Sequence, residues 1–251
     1  MAKNIEHYID LFGGEKGGVG KSMVAKTAIQ MRIDRGHEFV VVESDRSNPD
    51  VGNIYNHLRK DAFFTENEKQ ANFADQIFNF ALKKDVIVNL PAQVQTPLRS
   101  WFFDNNLFEI SKEYGIGFRH WFVTNGEHDS INQFVASLKI YEDKIPHILV
   151  KNCGLCDNWG QLESNKLVQE AIQKYQVKTI DFPRLAITER EFINEKQLSF
   201  SAAKEHEKLG ILARQRVVKF LETGYKAFDS TGAWGESKNV LKEEVLCEPI
   251  K

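Results

Sequence analysis

The feature that most constrains the fold is a stretch rich in glycine and lysine, GGEKGGVGKS, at residues 13–22. It directly follows the apolar-rich run YIDLF. It leads into SMVAKTAIQMRIDRG, whose apolar residues recur at helical spacing and which stops at Gly36. The next run, HEFVVVES, again has the composition of a buried strand. The segment therefore predicts a strand–loop–helix–strand unit.

The same alternation continues along the chain. The apolar runs DVIVNLP, FRHWFVTNG, IPHILVKN and VKTIDFP alternate with helix-like stretches such as LRSWFFDNNLFEISKEYG and a long one around residues 201–223. This alternation is typical of buried parallel strands that are joined by crossover helices. We predict an α/β fold with a mainly parallel β-sheet flanked by helices on both faces. One domain over residues 1–224 and a polar C-terminal tail over 225–251 are expected.

Composition argues against several classes of protein. The net charge of −2 and the pI near 6.4 give no global basic field that would favour nucleic acid or an anionic membrane. The chain has neither a signal-like start nor a run of about 18 apolar residues, so we expect a cytoplasmic protein without a membrane partner. Three cysteines are too few for a disulfide framework and suit a reducing compartment.

The glycine-rich stretch has the chemistry of a phosphate-binding loop. Its backbone N–H groups can converge on an anion at the positive end of the following helix. Lys21 would lie along the β- and γ-phosphates, and the Ser22 hydroxyl would ligate Mg²⁺. The predicted nucleotide contacts are Gly17, Gly18, Val19, Gly20, Lys21, Ser22 and Met23. The alternative is a glycine-rich turn with incidental lysines.

Two positions depart from the commonest form of such a loop. Glu15 stands where a glycine usually lies, and a second lysine, Lys16, precedes Gly17 and Gly18. The resulting pattern, KGGxGK[ST], resembles the deviant Walker A loop of the ParA/MinD family of SIMIBI-type P-loop ATPases. The resemblance implies a homodimer formed on ATP binding, in which Lys16 reaches the partner's nucleotide and Lys21 holds its own phosphates. The alternative is that Lys16 is an ordinary solvated lysine of the loop with no role in a dimer.

The switch segments of that family appear in altered form. VVVESDRSNPD puts Asp45 where the family carries an acid that helps to hold the magnesium waters and orient the attacking water, with Glu43 as a weaker candidate. DVIVNLPAQ resembles the Walker B segment, but Asn89 stands at the position of the usual aspartate. An amide can still accept a hydrogen bond from a magnesium-bound water, but it lacks the charge that a hard cation favours, so we expect hydrolysis to be affected more than binding and ATP to turn over slowly. Gln93 would lie near the γ-phosphate.

Later segments resemble the part of the family that binds the base. IPHILVKNCG ends in Asn152, at the position where the family contacts adenine, and TIDFPRL carries Pro183, which would wall the base. FRHWFVTNGEHDS resembles a Thr-Pro-Glu type turn through Thr124 and Glu127. The resemblance extends from about residue 8 to residue 222.

The resemblance implies a switch timed by Mg-ATP hydrolysis, in which the ATP-bound dimer exposes a surface for a partner protein. The size and the altered switches look most like the plasmid partition proteins or the TraL-type conjugation accessory proteins. In partition relatives a basic C-terminal helix binds DNA nonspecifically. The basic residues of the helical stretch around 201–226 fit that role or an ordinary solvated face.

Three other functions stay open. Asn89 suits a nucleotide-dependent scaffold with little hydrolysis. Cys153 and Cys156 form a CxxC pair, as in an iron–sulfur carrier or a redox site. A small-molecule kinase or amide ligase of the wider superfamily is the third, although those enzymes lack a lysine like Lys16.

Overall fold

A computed structural model describes residues 3–234 of the chain. The strands are β1 His7–Gly13, β2 Phe39–Glu43, β3 Arg59–Asp61, β4 Asp85–Asn89, β5 Ile116–Thr124, β6 His147–Asn152 and β7 Lys178–Phe182. The helices are α1 Lys21–Asp34, α2 Asp50–Ile54, α3 Asp75–Ala81, α4 Gln95–Asp104, α5 Leu107–Tyr114, α6 His128–Tyr141, α7 Gly160–Glu163, α8 Lys166–Lys174, α9 Ile187–Glu195, α10 Phe200–Glu205 and α11 Gly210–Asp229. Short 3-10 helices cover Glu68–Ala74 and Glu207–Leu209.

The strands form one seven-stranded sheet in the order β3-β2-β4-β1-β5-β6-β7. Every pairing between neighbours is parallel, which confirms the predicted fold class. From β1 the chain runs to β2 and β3 on one side, returns to β4 next to β1, and then continues on the other side through β5, β6 and β7. The strand order therefore reverses beside β1, and ligands of open α/β sheets bind at the carboxyl ends of the strands near such a point.

Helices cover both faces of the sheet, as predicted. Alternate residues of a strand point to opposite faces. On one face Phe12 and Trp121 pack with residues of α1, α9, α10 and α11. On the other, Leu11 packs with residues of α3 and α4, while Phe122 packs with residues of α6 and α8. All nine residues of β5 are buried, in keeping with its place inside the sheet.

Two predicted helices are interrupted. The stretch LRSWFFDNNLFEISKEYG forms α4 and α5 rather than one helix, because Asn106 adopts a left-handed φ of +51° between them. The long stretch around 201–223 divides into α10, a 3-10 turn and α11, and Gly210 at the turn has a φ of +67°. Both breaks occur at residue types that tolerate the left-handed region.

The last helix continues beyond residue 224, where the sequence suggested that the tail begins. Phe228 is fully buried in the core, and the ring of Trp234 stacks on Trp121 with centroids 4.7 Å apart. The Trp234 indole also donates a 2.9 Å hydrogen bond to the buried carboxylate of Asp10. Phe228 and Trp234, both within the predicted tail, thus pack against the domain. Residues 235–251, including Cys247, lie outside the described part of the chain.

Within residues 3–234, no helix is both long enough and apolar enough to cross a membrane.

Candidate functional site

The glycine-rich loop joins the carboxyl end of β1 to the first turn of α1. Gly18 and Gly20 adopt left-handed φ angles of +80° and +95°, which favour glycine. α1 begins at Lys21 with no acidic residue in its first turn and no side-chain cap from the described residues. The first N–H groups of a helix lack intrahelical partners and carry positive partial charge. The loop therefore presents a backbone site for an anion.

Lys21 is held inside this loop. Its side chain is mostly buried, and its Nζ donates a 3.1 Å hydrogen bond to the backbone oxygen of Lys16. Burial lowers the pKa of Lys21, while the nearby carboxylates of Asp45 and Glu15 oppose that shift. An ammonium group that has lost most of its water gains from an anionic ligand, since charges attract more strongly away from solvent.

Lys16 points away from this interior. Its ammonium forms an ion pair with Glu127, the residue that precedes α6, and both side chains are substantially exposed. The hydrogen bond from Lys16 to Glu127 raises the pKa of Lys16. The sequence singled out Glu127 as part of a turn but gave no sign of this contact. The two lysines of the loop thus face different surroundings, one interior and one solvent.

Glu15 ties the loop to the start of α4. Its Oε2 accepts a 3.2 Å hydrogen bond from the backbone N–H of Gln95, and its backbone oxygen accepts one of 3.1 Å from the N–H of Gln93. Gln93 has a φ of +56°. Burial raises the pKa of Glu15, and the backbone donor at Gln95 partly offsets that effect. A glycine here could not provide the side-chain bond.

Asp45 lies just past the carboxyl end of β2. Its Oδ1 accepts hydrogen bonds from the Ser47 N–H at 3.1 Å, the Ser47 hydroxyl at 2.6 Å and the Asn48 N–H at 3.1 Å. This oxygen organises the turn that follows β2. The Asp45 charge also acts on Lys21, so the two side chains named by the sequence belong to one region.

Glu43 contacts Asn89 directly, a contact that the sequence did not reveal. Glu43 Oε1 accepts hydrogen bonds from the Asn89 side-chain amide at 2.9 Å and from the Asp45 N–H at 3.0 Å. Its Oε2 accepts one of 2.8 Å from the Gly52 N–H. Both side chains are buried, and burial raises the pKa of Glu43.

The predicted magnesium ligands are compatible with a hard cation. Ser22, Asp45 and Asn89 offer a hydroxyl, a carboxylate and an amide oxygen, and all three are oxygen donors, as hard cations require, although only Asp45 carries a charge. The Asn89 Oδ1 is buried and has no hydrogen-bond partner among the described residues. A water bound to a metal could satisfy this oxygen.

A cavity of about 190 Å³ opens beside the loop. The predicted residues that line it are Gly18, Gly20, Ser22, Met23, Asn152 and Pro183. Its apolar wall comes from Leu155, Phe182, Leu185 and Phe220, and its polar wall from Lys26, Asp50, Arg190 and Asn194. Apolar walls with a few polar groups are typical of a site for a small organic ligand. The structure thus brings the loop and the two base-pocket residues together.

Asn152 is already engaged with the backbone around this cavity. Its Nδ2 donates a 2.8 Å hydrogen bond to the Val19 oxygen, and its Oδ1 accepts one of 3.0 Å from the Gly154 N–H. A contact between this amide and a base would replace one of these bonds. In the structure, Asn152 supports the glycine-rich loop through its bond to the Val19 oxygen.

Lys26 and Asn194 are functional candidates that the sequence reasoning missed. Lys26 is 3% exposed, and its Nζ donates a 3.1 Å hydrogen bond to Asn194 Oδ1. Burial lowers the pKa of Lys26, and the charge of Asp50 opposes the shift. The spacing of Ser22 and Lys26, one helical turn apart on α1, was the only available sign that both face the same space.

Cys153 and Cys156 are unoxidised and partly exposed. The Cys156 thiol donates to the Asn158 oxygen at 3.1 Å, and burial raises the pKa of Cys153. A raised pKa disfavours the thiolate that binds metals. Residues 3–234 contain no group of three or more His, Cys, Asp or Glu side chains arranged to hold a metal ion.

Comparison with known proteins gives one curated relative and several similar structures. No family model matches the chain. The chain is 29% identical to Protein MobD of Acidithiobacillus ferrooxidans over 214 residues, which cover 81% of this chain and 87% of that protein.

Three solved structures illustrate the structural likeness. The MinD cell division protein of Aquifex aeolicus shares 13% identity at a TM-score of 0.48, with 89% of this chain and 97% of that one covered. The septum site-determining protein MinD of Pyrococcus horikoshii OT3, complexed with Mg-ADP, shares 14% sequence identity at a TM-score of 0.49. The match covers 86% of this chain and 94% of that one. The structure of a Cyanothece McdA variant in complex with ATP shares 10% sequence identity at a TM-score of 0.48. The match covers 89% of this chain and 98% of that one.

Proposed function

We propose that this chain is a switch that binds Mg-ATP, dimerises around it and hydrolyses it slowly. The observation that carries the proposal is the position of Lys21. Its buried ammonium lies at the start of α1, which has no side-chain cap among residues 3–234, beside a cavity with an apolar wall and at the carboxyl edge of a parallel sheet. This combination suits a nucleotide whose phosphates enter the loop and whose base enters the cavity.

The chain's own residues would supply positioning and charge. The backbone from Gly17 to Ser22 would cradle the phosphates, and Lys21 would neutralise the charge that grows on the γ-phosphate during attack by water. Ser22, Asp45 and Asn89 would hold Mg²⁺, which when bound would supply further positive charge to the site. Asp45 would also orient the attacking water.

The dimer is proposed from Lys16. Its exposed ammonium lies on the loop but outside the site of its own chain, in an ion pair with Glu127. Exposed ion pairs of this kind contribute little to stability, so exchanging Glu127 for a phosphate of a second subunit costs little. The KGGxGK[ST] pattern supports the same assignment by resemblance to the ParA/MinD family.

The dimer would serve plasmid partition, conjugation or subcellular positioning in the cytoplasm, with a partner protein that recognises the ATP-bound form. The support is the resemblance of the loop. Nonspecific binding to DNA is the less favoured partner choice. Arg216 pairs with the buried Glu189 at 2.5 Å and Lys219 lies 3.5 Å from Glu222, so two of the basic side chains are already neutralised within the chain.

Sedimentation analysis with ATP, with ADP and without nucleotide tests this proposal. We expect wild type to form a dimer only with Mg-ATP, and Lys16→Ala to stay monomeric while still binding ATP. A dimer of Lys16→Ala as stable as that of wild type would refute the role of Lys16. Dimerisation of wild type with turnover no higher than in Lys21→Ala would favour the scaffold with little hydrolysis, for which Asn89 is the motivating residue.

A further inference from the structure

We propose that Glu43 is a positioning residue that makes Asn89 an oxygen acceptor and supplies the negative charge that Asn89 lacks. The inference rests on the proposed nucleotide site and adds a residue to it. It begins with the sheet. Glu43 and Asn89 are direct partners in the parallel pairing of β2 with β4, and each is the last residue of its strand. Their side chains therefore meet at the edge where the phosphate loop lies.

The chemistry of the two side chains fixes the orientation of the amide. An ionised carboxylate only accepts hydrogen bonds, whereas an amide has one donating and one accepting end. The 2.9 Å contact between Asn89 and Glu43 must therefore use the Asn89 Nδ2, which turns Oδ1 away from Glu43. That oxygen is buried and unpartnered among residues 3–234. The pair thus presents an acceptor, as a magnesium-bound water requires.

Glu43 is itself held firmly in place. Backbone N–H groups of Asp45 and Gly52 donate to its two oxygens at 3.0 and 2.8 Å. A side chain at Gly52 would put its Cβ 2.8 Å from the Glu43 Cβ, so only glycine lets α2 approach this closely. Three hydrogen-bond donors stabilise this buried carboxylate, and the pair of Glu43 and Asn89 carries one negative charge in total.

Because of this arrangement, we expect Asn89→Asp to destabilise the protein rather than to restore the usual site. Asn89→Asp would face Glu43 with a second carboxylate, remove the donor between the two residues and add a repelling charge. Glu43→Gln restores a donor opposite Asp at position 89 and returns the pair to a single negative charge. In that double variant, the Asp45 N–H loses the side-chain oxygen that accepts its hydrogen bond in wild type. The same Glu43→Gln change should therefore destabilise wild type but stabilise the Asn89→Asp background.

Thermal unfolding of the nucleotide-free protein tests this reversal of sign. We expect Asn89→Asp to lower Tm by more than about 4 °C, and the double variant to recover part of that loss. Asn165→Asp is the matched control, because Asn165 caps α8 as an acceptor and aspartate caps equally well. A Tm for Asn89→Asp at or above that of wild type, or a double variant less stable than Asn89→Asp, would overturn the proposed pairing.

A binding measurement distinguishes positioning from a purely structural role. We expect Glu43→Gln to shrink, by tenfold or more, the gain in ATP affinity that Mg²⁺ gives over EDTA. An amide at position 43 carries no charge, and because it can donate as well as accept, it no longer fixes the orientation of Asn89. An unchanged magnesium dependence would overturn the positioning role. If wild type bound no ATP at all, the proposed function would fail, whereas the thermal comparison would still decide whether the two side chains are paired as inferred.

Discussion

Three glycines of the phosphate loop should respond to alanine substitution in a graded way. A Cβ at Gly17 would have no heavy atom within 4 Å, and the backbone there is not left-handed. A Cβ at Gly18 would also meet open space, but its φ is +80°. Gly20 combines a φ of +95° with a Cβ position only 2.2 Å from the Nδ2 of Asn152. The series separates backbone strain from a steric clash within one loop.

The magnitudes follow from these contacts. Gly17→Ala should change the free energy of unfolding by less than about 1 kcal/mol, and in the stabilising direction, since alanine restricts the unfolded chain. Gly18→Ala should cost about 1–2 kcal/mol, the usual penalty for a left-handed residue with a side chain. Gly20→Ala adds the loss of the bond from Asn152 to the Val19 oxygen, about 0.5–1.5 kcal/mol net, for a total of about 1.5–3.5 kcal/mol.

Urea unfolding of the nucleotide-free proteins measures these differences, and a double-mutant cycle isolates the clash. Asn152→Ala removes the atoms that the new methyl group would meet, so Gly20→Ala should cost less in that background than in wild type. Equal costs for Gly18→Ala and Gly20→Ala, together with an additive cycle, would refute the claim that Asn152 supports the loop at Gly20.

Other predictions concern different parts of the molecule. Glu15→Gly, which restores the commoner loop residue, should remove the hydrogen bond to Gln95 and speed amide exchange in the first turn of α4, as hydrogen-exchange mass spectrometry would detect; unchanged exchange would contradict the link. Burial lowers the pKa of His147 to about 4 in the folded protein. In the unfolded chain this histidine takes up a proton near pH 6.5, whereas in the folded chain it stays neutral until the pH is much lower. Stability should therefore fall as pH drops from 7 towards 5, by up to about 1.4 kcal/mol per unit from this residue. His147→Gln should reduce the slope of urea-derived stability over that range, with buried His120 retaining its own share; an unchanged slope would contradict the prediction. A chain ending at residue 224 should be much less stable than one ending at 234, because it lacks the buried ring of Phe228, whose burial is worth about 1.5–3 kcal/mol; equal urea midpoints would contradict this.

The sheet was predictable from sequence because its strands are buried. The run FVVV in β2, for example, is wholly apolar, and the helices between the strands dictate parallel pairing. β3, Arg59–Asp61, escaped prediction because an edge strand of three polar residues has no hydrophobic pattern. The break between α4 and α5 was not predicted either, because nothing in the sequence distinguishes an asparagine with a left-handed φ from a helical one.

The glycine-rich loop between β1 and α1 was also predictable, because the spacing of its glycines and lysines is local in the sequence. The contacts of Glu43 with Asn89 and of Lys26 with Asn194 were not, since they join residues 46 and 168 positions apart. Their side chains meet only through the strand order and through the packing of α9 over α1. The sequence marked Asn89 as a departure, and the neighbouring strand supplies its physical explanation.

Steady-state ATP turnover in the presence of magnesium, with Lys21→Ala as the background control, tests the central claim most directly. The account predicts slow turnover in wild type that lies clearly above the control and disappears when magnesium is chelated, because the buried Lys21 and the oxygen ligands of the metal act on the same phosphates. Turnover equal to that of Lys21→Ala would contradict hydrolysis as the function of this site, and equal ATP affinity of the two proteins would contradict the site itself.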